Sequence, residues 1–502
     1  MADKSAATTS LRFAETGAAG KSADTTSLRF RRRDPNRLLA QPVSVSADQQ
    51  RMKPSVRSSE RRQPAVIVIG GGVAGLAAAA ELVRRGFAVR VIEARDRLGG
   101  RVFTQHLPDW PGPVEMGAEF VHGGSEAFWR RLKRHRVGRK PAPETHWFFE
   151  KGALTEIPNV ADEIGQVTAL IKPRRMRRWS FADFLNVSSA RLPRRSRLLA
   201  EGFVEGFEAA PLDEMSAAAV ADETLEPDEQ FFLPAGYGRL IAGLERELQR
   251  AGVAIAVGTP VRRVRWKSGE VRVEAGRETF RADAAVLTLP LGVFKAKLRE
   301  RGAIAFSPPL KAKQRIVAKM QMGHVVRVTL RFDERAWRGV LPHALRVLPG
   351  APGFIHSRSV GVPVWWELTR QPVVTGWAGG PAALKLAGRS DRAVLATATA
   401  SLARVFAVRP QVLRAAVADF AVHNWTQDPF SRGAYSFTAA GQEKAAANLR
   451  IPVAGTLFFA GEATAEGSDI GTVHGAMESG LRAAREVAVA RGKKRPQRQS
   501  AR

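Results

Sequence analysis

Glycines at positions 70, 72 and 75 follow an apolar run, Pro64-Ala-Val-Ile-Val-Ile, and open an alanine-rich stretch that stops near Gly86. A second apolar run then closes on Glu93. Residues of these types in this order can hold a dinucleotide. Gly70 permits a tight turn, Gly72 lets a pyrophosphate approach bare backbone, and Gly75 lets a helix pack closely on a strand. The helix that follows turns unpaired N–H groups and its positive dipole end toward the phosphates, with Val73 and Ala74 among the binding residues. Glu93 can accept hydrogen bonds from ribose hydroxyls, where an arginine would instead suit a 2′-phosphate. A glycine turn alone says little, but strand, turn, helix, strand and acid all fall within about 30 residues.

The next segment extends the same chemistry. Ala94-Arg95-Asp96-Arg97-Leu98-Gly99-Gly100-Arg101 offers two more glycines for a second close approach, and Arg101 adds charge near phosphate. On these residues alone, FAD and NAD both remain open. The absence of cysteine excludes disulfides, thiolate metal sites, cysteine nucleophiles and a cysteinyl flavin link. No HExxH-like pair is present, so no catalytic metal site is expected.

The E-x-R-x-R-x-G-G-R run from Glu93 to Arg101 resembles the flavin amine oxidase family, which includes monoamine oxidases, polyamine oxidases and lysine-specific histone demethylases. The resemblance extends from about Pro64 to Gly492 and implies FAD. It sets Gly117, Ala118 and Glu119 beside the flavin and His122 near the substrate. Leu233-Pro-Ala-Gly236-Tyr-Gly238 matches a hinge back into the FAD domain, and Val261 the position whose backbone contacts adenine. Ala282 to Lys295 matches the strand and turn that leave that domain. In Ala460-Gly461-Glu462, the resemblance assigns Glu462 to the ribityl chain. The helix starting near Thr472 and Val473 should face the pyrimidine edge, where its dipole stabilises negative charge.

The implied reaction moves a hydride equivalent from the carbon bearing a neutral amine to the flavin, after which the imine hydrolyses and oxygen is reduced to hydrogen peroxide. Trp425 to Ser436 supplies one aromatic wall, Tyr435. Ala434 stands where monoamine oxidases carry their flavin-linking cysteine, which implies non-covalent FAD. The opposite wall, a tyrosine in monoamine oxidases, falls on Thr472. Arg327 stands in place of the family lysine that assists oxygen. Arginine cannot yield a proton as lysine can. Three readings stay open: adequate electrostatics, a slow oxidase or other electron acceptor, or pairing with a substrate carboxylate. His324 reads as a packed histidine. Trp365, Trp366 and Trp377 suit either a pocket or a core.

The elements that must position these residues imply an α/β protein of two lobes. A discontinuous Rossmann-like FAD-binding domain is expected over 63–123, 233–300 and 421–491, with a mixed α+β substrate domain over 124–232 and 301–420. Val66 to Ile69, Ala88 to Ile92 and Ala284 to Leu289 read as strands. Residues 124 to 232 read as mostly helical and basic, and 325 to 378 as strands. Residues 1–62 read as a disordered tail holding a near-repeat, KSAATTSLRF from Lys4 and KSADTTSLRF from Lys21, and 492–502 as a second basic tail. No stretch reads as a membrane span or secretory signal, so a cytoplasmic protein is expected.

The formal charge of +30 fits either an arginine-rich solvated surface or contact with an acidic partner. It also repels polycations at long range, which favours a monoamine or amino acid over a free polyamine. Competing readings are an L-amino acid oxidase, a desaturase-like flavoprotein and a weakened FAD-bound interaction protein.

Overall fold

The computed structural model describes residues 65–222, 230–348 and 350–492. The expected N-terminal tail with its repeat, and the C-terminal tail beyond Gly492, lie outside the described residues. Five parallel strands make the first sheet, in spatial order Ala254–Ala256, Ala88–Ile92, Ala65–Ile69, Ala284–Leu287 and Leu457–Phe459. A parallel strand covered on both faces reads as a continuous apolar run. Val66 to Ile69 do so, and all four are buried.

The helix Val73–Arg84 follows the glycine turn, and its small residues Ala77, Ala78 and Ala79 admit close packing. The long helix Val473–Ala490 packs against it. At their contact a Cβ on Gly480 would stand 2.1 Å from the Ala74 carbonyl oxygen. The C-terminal motif is thereby brought beside the N-terminal turn.

The second lobe is built on a mixed seven-stranded sheet in the order Val417–Asn424, Val325–Phe332, Val373–Gly379, Val364–Glu367, Gly353–Ser357, His146–Glu150 and Ala153–Ile157. Alternation sends Val326, Val328, Leu330, Ile355, Trp365 and Val374 into a core with the helix Asp391–Val405. The opposite face carries Arg327, Trp366 and Trp377. The strand Val417–Asn424 straddles the expected boundary at 421 and pairs with Val325–Phe332 of this sheet.

The stretch from 124 to 232 is helical only in part. Among the described residues it holds the helices Glu126–Arg134, Val160–Thr168, Phe181–Ser188, Arg194–Gly202 and Ala217–Asp222, but also four strands, among them His146–Glu150 and Ala153–Ile157. The basic runs concealed a strand pair whose bulky aromatics, Trp147, Phe148 and Phe149, need cover on both faces. Among the described residues, no helix is long and apolar enough to cross a membrane.

Candidate active site

The glycine turn forms one end of the site. Gly70 has a φ of +111°, and a Cβ there would stand 2.4 Å from Thr288 Oγ1. At Gly75 a Cβ would stand 1.9 Å from the Gly70 carbonyl oxygen. The chain itself requires glycine at both positions. Gly72 differs, because the nearest atom to a Cβ would be the Gly99 carbonyl oxygen at 3.9 Å. No protein neighbour demands that glycine, and its bare backbone fits the approach of a pyrophosphate. Gly99 donates its N–H to Gly71 O at 2.9 Å, laying the Gly99-Gly100 turn alongside.

Glu93 is buried and fixed by backbone. Its Oε2 accepts from Gly71 N at 2.7 Å and its Oε1 from Arg95 N at 2.8 Å. Thr259 donates to Glu93 O at 2.9 Å, which brings Val261 near Ala94 and Arg95. Those three residues, with Pro260 and Phe430, help line a cavity of about 790 Å³. Arg95 is itself anchored, donating to Asp428 at 2.7 Å and Ser431 at 2.8 Å.

The middle of the site is a crossing of four segments. Arg101 Nη1 donates to Ala434 O and to Glu462 Oε1, both at 2.7 Å. Glu462 Oε2 accepts from Ser436 Oγ at 2.6 Å, and Gly461 N donates to Ser479 Oγ at 2.8 Å. A Cβ on Gly117 would stand 1.9 Å from Arg101 O. Ala118 N donates to that same oxygen at 3.3 Å. Trp425 Nε1 holds Met116 O at 2.8 Å.

At the far end Tyr435 donates its hydroxyl to Phe207 O. Burial pushes this phenol well above its ordinary range, so it stays protonated. The Phe207 ring meets His122 edge-on with centroids 4.8 Å apart. His122 Nδ1 is hydrogen-bonded to Gln230 Oε1. With that amide oxygen as acceptor, Nδ1 carries the proton and Nε2 is left as an acceptor. Burial lowers His122 to about 4, partly offset by Gln230, so the ring is neutral at physiological pH.

Thr472 serves the backbone: its Oγ1 accepts from Gly475 N at 2.9 Å and donates to Asp469 O at 2.7 Å, capping the helix from Val473. A Cβ on neighbouring Gly471 would stand 3.4 Å from the Tyr435 ring. The cap therefore aims the helix N-terminus at the site, while the Thr472 hydroxyl is already used.

Arg327 is 1% exposed, and its charge has an internal partner. Nη2 donates to Glu119 Oε2 at 2.8 Å, and Trp366 Nε1 donates to the same oxygen at 2.9 Å. The guanidinium also lies 5.4 Å from the Trp366 ring centroid. Glu119, expected at the flavin, thus neutralises Arg327. Trp365 is in the core, Trp366 and Trp377 are on the site face, and His324 packs against Thr426 at 3.2 Å. Phe207 and Gln230 had no signal in the sequence. Phe207 ends a single wide turn, Phe203–Phe207, closed by Glu208 N to Phe203 O at 3.2 Å, a feature frequent at functional sites.

Residues 73–488 match the family described as flavin containing amine oxidoreductase. The chain belongs to that family. It is similar to polyamine oxidase 2 of Arabidopsis thaliana, 30% identical and covering 85% of this chain and 88% of the relative. It also resembles lysine-specific histone demethylase 1 homolog 1 of Oryza sativa subsp. japonica, at 27% identity over 84% of this chain and 52% of that protein. Among solved structures, putrescine oxidase bound to putrescine shares the fold, with a TM-score of 0.70, 21% identity, and 85% and 99% of the two chains covered. Arg101 joins the segment after the glycine turn to the segments of Ala434 and Glu462.

Proposed function

We propose that this chain oxidises a primary or secondary amine to an imine at a non-covalently held FAD, with oxygen reduced to hydrogen peroxide. One observation carries the reading: Arg101, just past the glycine turn and Glu93, is hydrogen-bonded to Ala434 O and Glu462, and the adjacent Tyr435 is hydrogen-bonded to Phe207, so the dinucleotide-type turn and the aromatic pair are tied into one chain of contacts. Bound FAD would accept the two electrons and pass them to oxygen.

The chain's own residues orient, desolvate and neutralise. Gly72 and the N-terminus of Val73–Arg84 would hold the pyrophosphate, Glu93 the ribose and Val261 the adenine. The capped N-terminus of Val473–Ala490 would favour negative charge on the reduced ring. Tyr435 and Phe207 present aromatic faces to the amine. Neutral His122 can accept a hydrogen bond from the amine without repelling its cation. Attachment through cysteine is ruled out because the sequence has none and Ala434 stands at that position.

The polyamine and putrescine oxidase relatives support an amine with more than one nitrogen, although the surface charge pulls toward a monoamine. The amino acid reading loses its anchor, because Arg327 is already paired with Glu119. The test is the anaerobic visible spectrum with monoamines, polyamines and L-amino acids, followed by air. Bleaching by amines, and peroxide on reoxidation, are expected. Flavin that no amine bleaches would overturn the reading.

A further inference from the structure

The site-facing side of the seven-stranded sheet is only partly covered. His146, Phe354, His356, Val364 and Trp377 lie on interior strands, yet each is half-buried, while their alternating neighbours Trp147, Ile355 and Trp365 are buried. Interior strands whose residues retain accessible surface on one face leave open space beside that face. Aromatic rings run along this one. Trp377 stands 5.9 Å from Trp366, and Trp366 6.2 Å from Phe354. Phe120 bridges back, 5.4 Å from Phe354 and 5.9 Å from His122.

The wall ends in a histidine pair. His146 Nδ1 and His356 Nε2 are 2.9 Å apart, with the ring planes within 10° of parallel. Phe354 stacks on His146 at 4.9 Å. One proton lies between the two bonded nitrogens, so the neutral pair presents one donor and one acceptor at its outer nitrogens, whichever tautomer holds. Neither outer nitrogen, His146 Nε2 or His356 Nδ1, has a protein hydrogen-bond partner among the described residues. Burial lowers His146 to about 4; burial and then the His146 charge lower His356 to about 3.

Resting on the amine oxidase reading above, we infer that the His146–His356 pair, at the end of this aromatic wall, binds a second amino group of the substrate and so selects long diamines or triamines over monoamines. Polar groups beside aromatic rings with no protein partner are left unsatisfied by an alkyl tail and satisfied by an amine. A neutral acceptor receives a hydrogen bond from an ammonium without a second charge being buried, and the Phe354 and Trp366 faces add cation–π attraction. His356 lies two strands from Trp377. Two spacings of about 4.8 Å make about 10 Å, the reach of an extended chain of roughly eight bonds.

The probes are the α,ω-diamine of octane, octylamine and the α,ω-diamine of butane, tested on the holoenzyme by anaerobic flavin reduction and steady-state kinetics. The wild type should prefer the octane diamine over octylamine by about tenfold or more in kcat/KM. His356→Phe and His146→Phe should each erase most of that ratio through KM, and His356→Gln should retain part of it. The butane diamine, too short to reach, should gain nothing from the pair. Flavin absorbance per chain reports folding, and the Gln variant covers a Phe variant that fails to hold flavin. An unchanged ratio in flavin-replete variants overturns the inference alone. Failure of every amine to bleach the wild type overturns the amine oxidase reading as well.

Discussion

A buried guanidinium is expensive unless a carboxylate answers it, and at Arg327 the answer is Glu119, with Trp366 sharing the same oxygen. Breaking such a pair costs more than replacing both members, because one uncompensated charge stays behind. Arg327→Met should destabilise the protein by about 3–5 kcal/mol, whereas Arg327→Met with Glu119→Gln should recover most of that loss. Urea unfolding of the four members of the cycle checks this; losses of the two single variants that simply add in the double variant would show that the pairing contributes nothing. The arginine itself was visible as a departure from the family lysine. Its partner, 208 residues away in sequence, was not.

Glycines and caps act at the scale of elements. Gly75→Ala forces a Cβ onto backbone of the turn, so it should destabilise the fold with or without flavin. Gly72→Ala meets no protein atom closer than 3.9 Å. It should leave unfolding nearly unchanged while weakening FAD retention at least about tenfold. Flavin titration and thermal unfolding of the two variants separate a folding glycine from a ligand glycine. Thr472→Ala should cost about 1 kcal/mol, with Thr472→Ser close to wild type, because the hydroxyl caps the helix from Val473. The turn, the acid after it and the C-terminal motif were legible because their chemistry is local. The strand pair from His146 to Ile157 was not, since basic flanks obscured a pattern that only sheet pairing completes.

Across the whole molecule, two buried carboxyls set a pH dependence of stability. Burial pushes Glu367 up to about 8 and Glu115 up to about 7 from an ordinary 4.5. Between the ordinary value and those values the folded chain holds protons that the unfolded chain has released, so stability falls as pH rises through that window. Glu367→Gln should match the wild type near about pH 5 and exceed it near about pH 9 by on the order of 2 kcal/mol. Urea midpoints across pH check the sign, and parallel curves would refute it. The charge of +30 acts at longer range. It should slow the approach of cationic amines, so kcat/KM should rise about twofold or more when ionic strength goes from about 0.01 M to about 0.15 M.

The amino-acid sequence by itself determined the glycine turn and the strand pattern around it, because each depends on residues close together in the chain, and it carried the family resemblance through a series of such local motifs. Tertiary structure decided which faces those strands present. Trp365 and Trp366 are adjacent in sequence, and only the packing of the helix Asp391–Val405 on one side of the sheet sends the first to the core and the second to Glu119. The same packing leaves His146 and His356 on the opposite face, bonded to each other, and the wide turn at Phe203–Phe207 brings Phe207 to Tyr435 and His122. A strand's period of two says that neighbours oppose, but only the layer packed against the sheet says which of them is inside.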